Sequence, residues 1–159
     1  MILKNELFYR LVIFNTLGIV GLAAGYWYGL VDKLLQHDAI GVIYVIGAFL
    51  ALGIVGSINS SWKISKAIDN FNTLTYFKEP FLKYIRKMTY RNDYIQALSA
   101  FAVLVGLFGN VWGLIEALGS PESIQAGAAI AFGSTAAGIL TALWLEVNAL
   151  MLRTASNCL

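Results

Sequence analysis

Four long apolar segments separated by polar stretches dominate the chain. They cover about residues 11–31, 40–58, 95–118 and 124–152. A helix needs about 20 apolar residues to cross the hydrocarbon core of a bilayer. The pattern therefore predicts an all-α integral membrane protein, with four transmembrane helices in a single membrane domain over residues 1–159. The last two segments are joined only by residues 119–123, which include Pro121, so we expect them to form an antiparallel hairpin.

The positions of the basic residues predict how the helices are oriented. Ten of the eleven Lys and Arg residues lie in the two terminal segments and in the connection at 59–94, and only Lys33 lies in the opposite set of loops. Loops rich in Lys and Arg remain in the cytoplasm. We therefore expect both termini and the middle connection to be cytoplasmic, and the two short loops to face outward.

The middle connection itself carries a helical pattern. Apolar residues recur at near-helical spacing after the second segment, at Trp62, Ile64, Ile68, Phe71 and Leu74. Pro80 suits the first turn of a new helix leading into the third segment. This predicts that helices two and three extend into the cytoplasm and are joined near residues 76–80. The alternative is a basic loop that lies against the lipid head groups.

Composition excludes several classes of function. Hydrophobic residues make up 58% of the chain and charged residues only 13%, about half the charged fraction of a soluble domain. The net charge of +2 gives no support for a nucleic-acid partner, and lipid is the expected surrounding. A single cysteine, Cys158, allows no intrachain disulfide. No phosphate loop, dinucleotide fingerprint or zinc spacing is present, so we expect neither an enzyme nor a cofactor nor a metal site.

Two isolated polar side chains lie deep in the last two segments. Asn110 is ~12 Å and Thr135 ~16 Å from the outer ends of their helices at 1.5 Å per residue. A lone polar group in hydrocarbon must face a helix partner or water. The pair therefore indicates either a shared polar track, to which Ser134 also belongs, or an interhelical hydrogen bond. Thr135 bonding to its own backbone is a further alternative.

Glu146 extends this track toward the inner interface. It follows Thr135 by eleven residues, close to three helical turns, so the two share a face. The alternatives for Glu146 are that it reaches the interface alone or pairs with Arg153. No Asp, Glu, Lys or His occupies the middle of any segment. If the protein conducts protons, a second chain must therefore supply the carboxylate.

Small residues surround the two polar positions. Glycine allows helix backbones to approach closely in a membrane, where no hydrophobic force drives helices together. The sequence therefore predicts close packing of the third and fourth helices. The glycines expected in this packing are Gly106, Gly109, Gly113 and Gly138.

These segments resemble the MotA/TolQ/ExbB proton-channel family. Residues 105–115 (VGLFGNVWGLI) are similar to that family's V-G-L-F/L-G-T-V-W-G-I-M signature, and residues 131–140 are similar to the A-L-x-x-T-A-x-G-L segment of its following helix. The resemblance covers Ile95 to Leu152, about a third of the chain. It implies a four-helix, stator-type topology in a bacterial inner membrane.

The resemblance also implies a partner and a mechanism. Such proteins form a ring, typically of five subunits, around two copies of a single-span partner whose aspartate carries the proton. Threonines on the two pore helices face that aspartate, and ion flow turns the ring. Thr135 matches the second threonine, whereas Asn110 stands where the first is expected. The chain also departs in its short connection at 59–94 and in Trp144, which stands where a family proline often bends the last helix.

Two functions remain open from the sequence. The first is a ring-forming subunit of an ion-driven motor or energy-transducing channel, with Asn110, Thr135, Ser134 and Glu146 along the ion pathway. The second is a non-conducting membrane scaffold of the same fold that holds a partner helix, in which the polar residues serve only as interhelical hydrogen bonds. A small-solute transporter is disfavoured, because no charged binding group lies at mid-membrane.

Overall fold

The computed structural model describes residues 6–29, 31–32, 35, 41–71 and 78–157. These residues form four long helices, α1 (Glu6–Trp27), α2 (Val42–Phe71), α3 (Lys78–Gly119) and α4 (Ile124–Asn157), and contain no strand. Each helix has a segment long and apolar enough to cross a membrane, namely Leu7–Trp27, Val42–Lys66, Asn92–Gly119 and Ile124–Thr154. The predicted all-α fold with four transmembrane helices is confirmed.

The first helix lies four to five residues earlier than the sequence pattern predicted. The predicted segment covered residues 11–31, whereas α1 begins at Glu6 and ends at Trp27. Gly29 has a φ of 70°, in the left-handed region where helices commonly end and which glycine adopts without steric cost. Hydropathy alone continues through this glycine to Val31, and so it placed the end of the helix too late.

Helices α2 and α3 continue beyond their membrane-spanning segments. The apolar span of α2 ends at Lys66, and the helix continues to Phe71. Helix α3 begins at Lys78, fourteen residues or ~21 Å before its span starts at Asn92. Pro80 lies in the first turn of α3, where its missing N–H costs no intrahelical hydrogen bond. Leu74 and the start of the predicted junction at 76–80 lie outside the described residues.

A tight capped turn joins α3 to α4. Pro121–Ser123 form one turn of 3-10 helix, and Ser120 and Ser123 cap each other reciprocally through side chain and backbone. The Ser123 hydroxyl also donates to the carbonyl oxygen of Glu116, at 2.7 Å. These bonds satisfy backbone groups at the helix ends. They fix the antiparallel hairpin that the short connection predicted.

The two hairpin helices pack along a regular seam. The buried positions in the membrane-spanning parts of α3 and α4 include one stripe on each helix that recurs at alternating intervals of three and four residues. In α3 this stripe consists of residues 92, 95, 99, 102, 106, 109 and 113, and in α4 of residues 127, 131, 134, 138, 141, 145, 148 and 152. An average spacing of 3.5 residues keeps one stripe facing the partner and gives left-handed supercoiled packing. Helix α2 packs against both α3 and α4, and α1 packs against α2 and α4.

Candidate functional site

Glycines on both helices bring the backbones of α3 and α4 into contact in the part of the seam nearer the α3–α4 turn. A Cβ added at Gly106 would lie 2.8 Å from the carbonyl oxygen of Ser134, and one at Gly138 would lie 2.7 Å from that of Ala102. A Cβ at Gly113 would lie 2.5 Å from the backbone nitrogen of Ala131. The obstacles are backbone atoms, which cannot turn aside as a side chain can. The two backbones therefore touch over several turns, and every residue beside them is held at a fixed distance from the facing helix.

Gly109 serves a different contact on the α2 side of the seam. A Cβ there would lie 2.5 Å from Cβ of Ser134 and 3.0 Å from Cγ1 of Val42 in α2. Ser134 is 2% exposed, and its hydroxyl donates to the carbonyl oxygen of Ala131 at 3.2 Å. Ser134 thus lies inside the subunit, and its hydroxyl is engaged with its own helix. For this reason we assign Ser134 to packing and leave it out of the ion track proposed below.

Asn110 and Thr135 meet across the seam in the half of the hairpin nearer the α3–α4 turn. The Nδ2 of Asn110 donates to Oγ1 of Thr135 at 3.0 Å, and Thr135 Oγ1 donates to the carbonyl oxygen of Ala131 at 2.9 Å. Both side chains are partly exposed. The interhelical bond and the backbone bond considered from the sequence are therefore both present. The Thr135 hydroxyl therefore uses its one hydrogen to donate and one of its lone pairs to accept.

This pair borders the side of α4 that no other helix among the described residues covers. Trp144, nine residues after Thr135, packs on α1. Nine residues correspond to 900°, or two and a half turns. Thr135 therefore lies on the side of α4 opposite Trp144 and points away from α1. Residues Phe132, Ile139 and Glu146, spaced by seven, are all exposed and lie within about 60° of Thr135. We call the surface formed by Phe132, Ile139 and Glu146 the open flank. Glu146 lies on it, ~16 Å along the helix from Thr135.

A second polar cluster, which the sequence analysis overlooked, joins α1 to α4. The side-chain amides of Asn15 and Asn148 bond reciprocally, with N···O distances of 2.9 and 3.1 Å, and Nε1 of Trp144 donates to Oδ1 of Asn15 at 2.9 Å. Asn15 also donates to the carbonyl oxygen of Leu11. The Trp144 ring covers Gly18. We call Asn15, Asn148 and Trp144 the amide clamp. Lone amides in apolar runs were its sequence signal, the same signal that identified Asn110.

We expect the amide clamp to hold α1 in place. Leu11 and Asn15 are the buried residues of the part of α1 whose side chains are described, and the amide clamp supplies side-chain hydrogen bonds between α1 and α4. Asn15→Leu leaves the buried Asn148 amide and the Trp144 N–H without their partner. The expected loss is about 2 kcal/mol of unfolding free energy, read as a lower midpoint in a thermal melt in detergent. Thr16→Leu, at the exposed neighbouring position, is the control. Equal midpoints for the two variants would contradict this role.

The described residues offer no metal site. None of them forms a group of three or more His, Cys, Asp or Glu side chains able to hold an ion. The chemistry at the Asn110–Thr135 pair is therefore that of a neutral amide and a hydroxyl. Such groups bind water, donate to an anion or accept from a proton carrier, but do not change charge at ordinary pH.

Comparison with known proteins bears on the same region. The sequence profile of the MotA/TolQ/ExbB proton channel family matches residues 58–158. The match includes the glycine seam, the Asn110–Thr135 pair and the open flank, and it leaves out α1. No curated protein and no solved structure matches the chain.

Proposed function

Because the chain belongs to the MotA/TolQ/ExbB proton channel family, we propose that it is a ring-forming subunit of a proton-driven membrane motor or energy-transducing channel. Its four apolar helices make it a multi-pass membrane protein. In the proposal, the open flanks of about five copies surround two copies of a single-span partner, which supplies a membrane carboxylate. The observation that carries the proposal is the Asn110–Thr135 pair, a paired amide and hydroxyl at the edge of the open flank.

The chemistry of the pair supports a partner carboxylate. An asparagine amide carries two N–H donors, and the bond to Thr135 uses one of them. In the proposal, the second N–H donates to the partner's ionised carboxylate. In the proposal, the carbonyl oxygen of Asn110 accepts a hydrogen bond from a water that relays a proton from the aqueous phase to that carboxylate. No titratable side chain lies at mid-span in this chain, so the charge change occurs on the partner.

The position of Glu146 supports a proton exit at the cytoplasmic end of the same track. It is exposed on the open flank, and the side chains between it and Thr135 on this face are apolar or small. In the proposal, its carboxylate attracts the proton released from the partner toward the cytoplasm. The bias in Lys and Arg supports cytoplasmic termini and cytoplasmic extensions of α2 and α3. The family resemblance supports the bacterial inner membrane.

The arrangement of helices supports a rigid pore-lining unit. The glycine seam joins α3 and α4 backbone to backbone, and α1 and α2 pack on the sides of α4 away from the open flank. A ring with the open flank inward would then place Asn110 and Thr135 next to the partner and α1 next to lipid. A small separation of the two hairpin helices would break the Asn110–Thr135 bond. Close packing and the polar track therefore depend on each other.

Site-specific crosslinking tests which face meets the partner. Cys158 is the chain's single cysteine, so a Cys158→Ser background allows one new cysteine at a time. Ile139→Cys lies on the open flank, and Leu17→Cys is an exposed control on α1. In native membranes, a photoreactive thiol reagent at position 139 should capture a single-span protein whose span contains Asp or Glu, identified by its peptides. Capture of such a protein at position 17 and not at 139 would refute the proposal.

A non-conducting scaffold of the same fold is the second candidate. It is favoured by one observation: the Thr135 hydroxyl is already bonded on both sides, to Asn110 and to Ala131. Under this alternative the bonds contribute ~0.6–2 kcal/mol each to helix association and no ion passes. The Thr135→Val variant distinguishes the two functions, because only the channel function requires it to lose ion flux.

A further inference from the structure

Three buried side-chain oxygens at the end of the bundle opposite the α3–α4 turn have no hydrogen-bond partner among the described residues. They are Oγ of Ser60, Oγ of Ser61 and Oδ1 of Asn92. The three residues are 4%, 0% and 9% exposed. A buried polar atom left unpaired costs about as much as a lost hydrogen bond. Buried groups in proteins are therefore nearly always paired, with protein atoms or with ordered water.

The helix register brings Asn92 and Ser60 to the same turn of α4. The Ser99 hydroxyl donates to the carbonyl oxygen of Ala142. Because α3 and α4 are antiparallel, seven residues earlier in α3 correspond to seven residues later in α4, so Asn92 faces Ala149. Helices α2 and α4 run in parallel, and Gly53 contacts Leu145. A shift of seven residues along both parallel helices places Ser60 opposite Leu152, which lies one turn after Ala149.

A buried apolar cluster lies at the level of these oxygens. Leu11, Ile64, Ile95, Ala149 and Leu152 form part of one buried cluster at this level, with exposed fractions of 0 to 4%. Ala149 is the small member of the cluster, and it stands opposite Asn92. The alanine methyl group fills less volume than the leucine and isoleucine side chains of the same cluster. Polar atoms that lie near one another but beyond bonding distance are the usual setting for a bridging water.

We propose that Ser60, Ser61 and Asn92 form a buried hydration site between α2, α3 and α4. At least one ordered water accepts from the serine hydroxyls and donates to Oδ1 of Asn92, which gives it the two to four polar partners that a buried water needs. The three side chains are uncharged, which favours water over a desolvated cation. The site does not depend on the proposed channel function, because it lies in the closed core and not on the open flank.

The sign of the stability change on substitution tests the site. In a hydrated site, Ser61→Ala and Ser60→Ala each remove one partner of the water, and the melting midpoint in detergent should fall by about 3 °C. In a dry site, either substitution removes an unpaired oxygen, and the midpoint should stay constant or rise. Ser57→Ala is the matched control, because the buried Ser57 hydroxyl is already bonded to the carbonyl oxygen of Gly53. A constant or raised midpoint in both variants would overturn the proposal.

Two further measurements identify the occupant. X-ray hydroxyl-radical labelling should oxidise Leu152, beside the site, at least threefold more than Leu145, which is also buried on the same helix. Asn92→Leu should abolish that difference. Equal labelling of the two leucines in the unmodified protein would overturn the hydration site. A midpoint raised by sodium relative to choline at equal ionic strength, and insensitive to sodium in Ser61→Ala, would replace water with a bound cation.

Discussion

Replacing Gly106 with leucine is expected to prevent the α3–α4 hairpin from closing. Even a Cβ at this position would lie 2.8 Å from the carbonyl oxygen of Ser134 and 3.2 Å from Cα of Gly138, and leucine adds three more carbons. The helices must separate, which breaks the seam and the Asn110–Thr135 bond together. Overpacking against backbone should cost about 3 kcal/mol or more. The measure is the yield of monodisperse protein in mild detergent, with its melting midpoint.

The matched control for this substitution uses a glycine with free space around it. Gly47 lies five residues after the start of the apolar span of α2, and nothing lies within 4 Å of the Cβ position there. Gly47→Leu should therefore leave yield and midpoint close to those of the unmodified protein. If Gly106→Leu also behaves like the unmodified protein, the described backbone contact is not formed in the membrane. If both variants fail, glycine is required for a reason other than close approach in the seam.

Thr135→Val should abolish ion flux while leaving the subunit assembled. Valine keeps the shape of threonine but loses the hydroxyl group, which accepts a hydrogen bond from Asn110 and donates one to the carbonyl oxygen of Ala131. The Asn110 amide is then no longer fixed beside the open flank. We expect proton uptake to fall at least tenfold in liposomes containing the complex purified from its own host, followed with a pH-sensitive dye. The oligomer should keep its elution volume, because one such bond contributes only ~0.6–2 kcal/mol.

Thr141→Val is the control for the loss of a hydroxyl from α4. Thr141 lies six residues further along the same helix and is 6% exposed, inside the subunit. Its replacement should leave proton uptake within about twofold of the unmodified complex. Unchanged uptake in Thr135→Val would remove the pair from the ion track. A complex that conducts no ions even when unmodified, and whose assembly Thr135→Val weakens slightly, would favour the scaffold.

The overall architecture was accessible from the sequence because its determinants are local. Apolar runs of membrane-spanning length specify the four helices, and a five-residue connection containing Pro121 leaves only a hairpin. The end of α1 was misplaced because it depends on the backbone angle at Gly29, which hydropathy does not report. Local pattern thus identified each element, and errors were confined to their ends.

The candidate site was accessible only in part. The depths of Asn110 and Thr135 follow from counting residues. Whether Ser134 or Thr135 lies nearer the surface of the subunit depends on how α4 is rotated against α3. Adjacent residues differ by 100° around a helix, so Ser134 is buried and Thr135 lies at the edge of the open flank. The amide clamp joins Asn15 to Asn148, residues 133 apart in sequence. No local pattern pairs two such positions, although each is a lone amide in an apolar run.

Native mass spectrometry can detect directly whether this chain forms a ring around a partner that supplies the ion-carrying carboxylate. The complex is extracted from its own host in mild detergent and its mass is measured before and after the subunits are separated. We expect about five copies of this chain of 17.4 kDa, together with two copies of a single-span protein that has an aspartate in its span. A monomer or dimer without such a protein would contradict it.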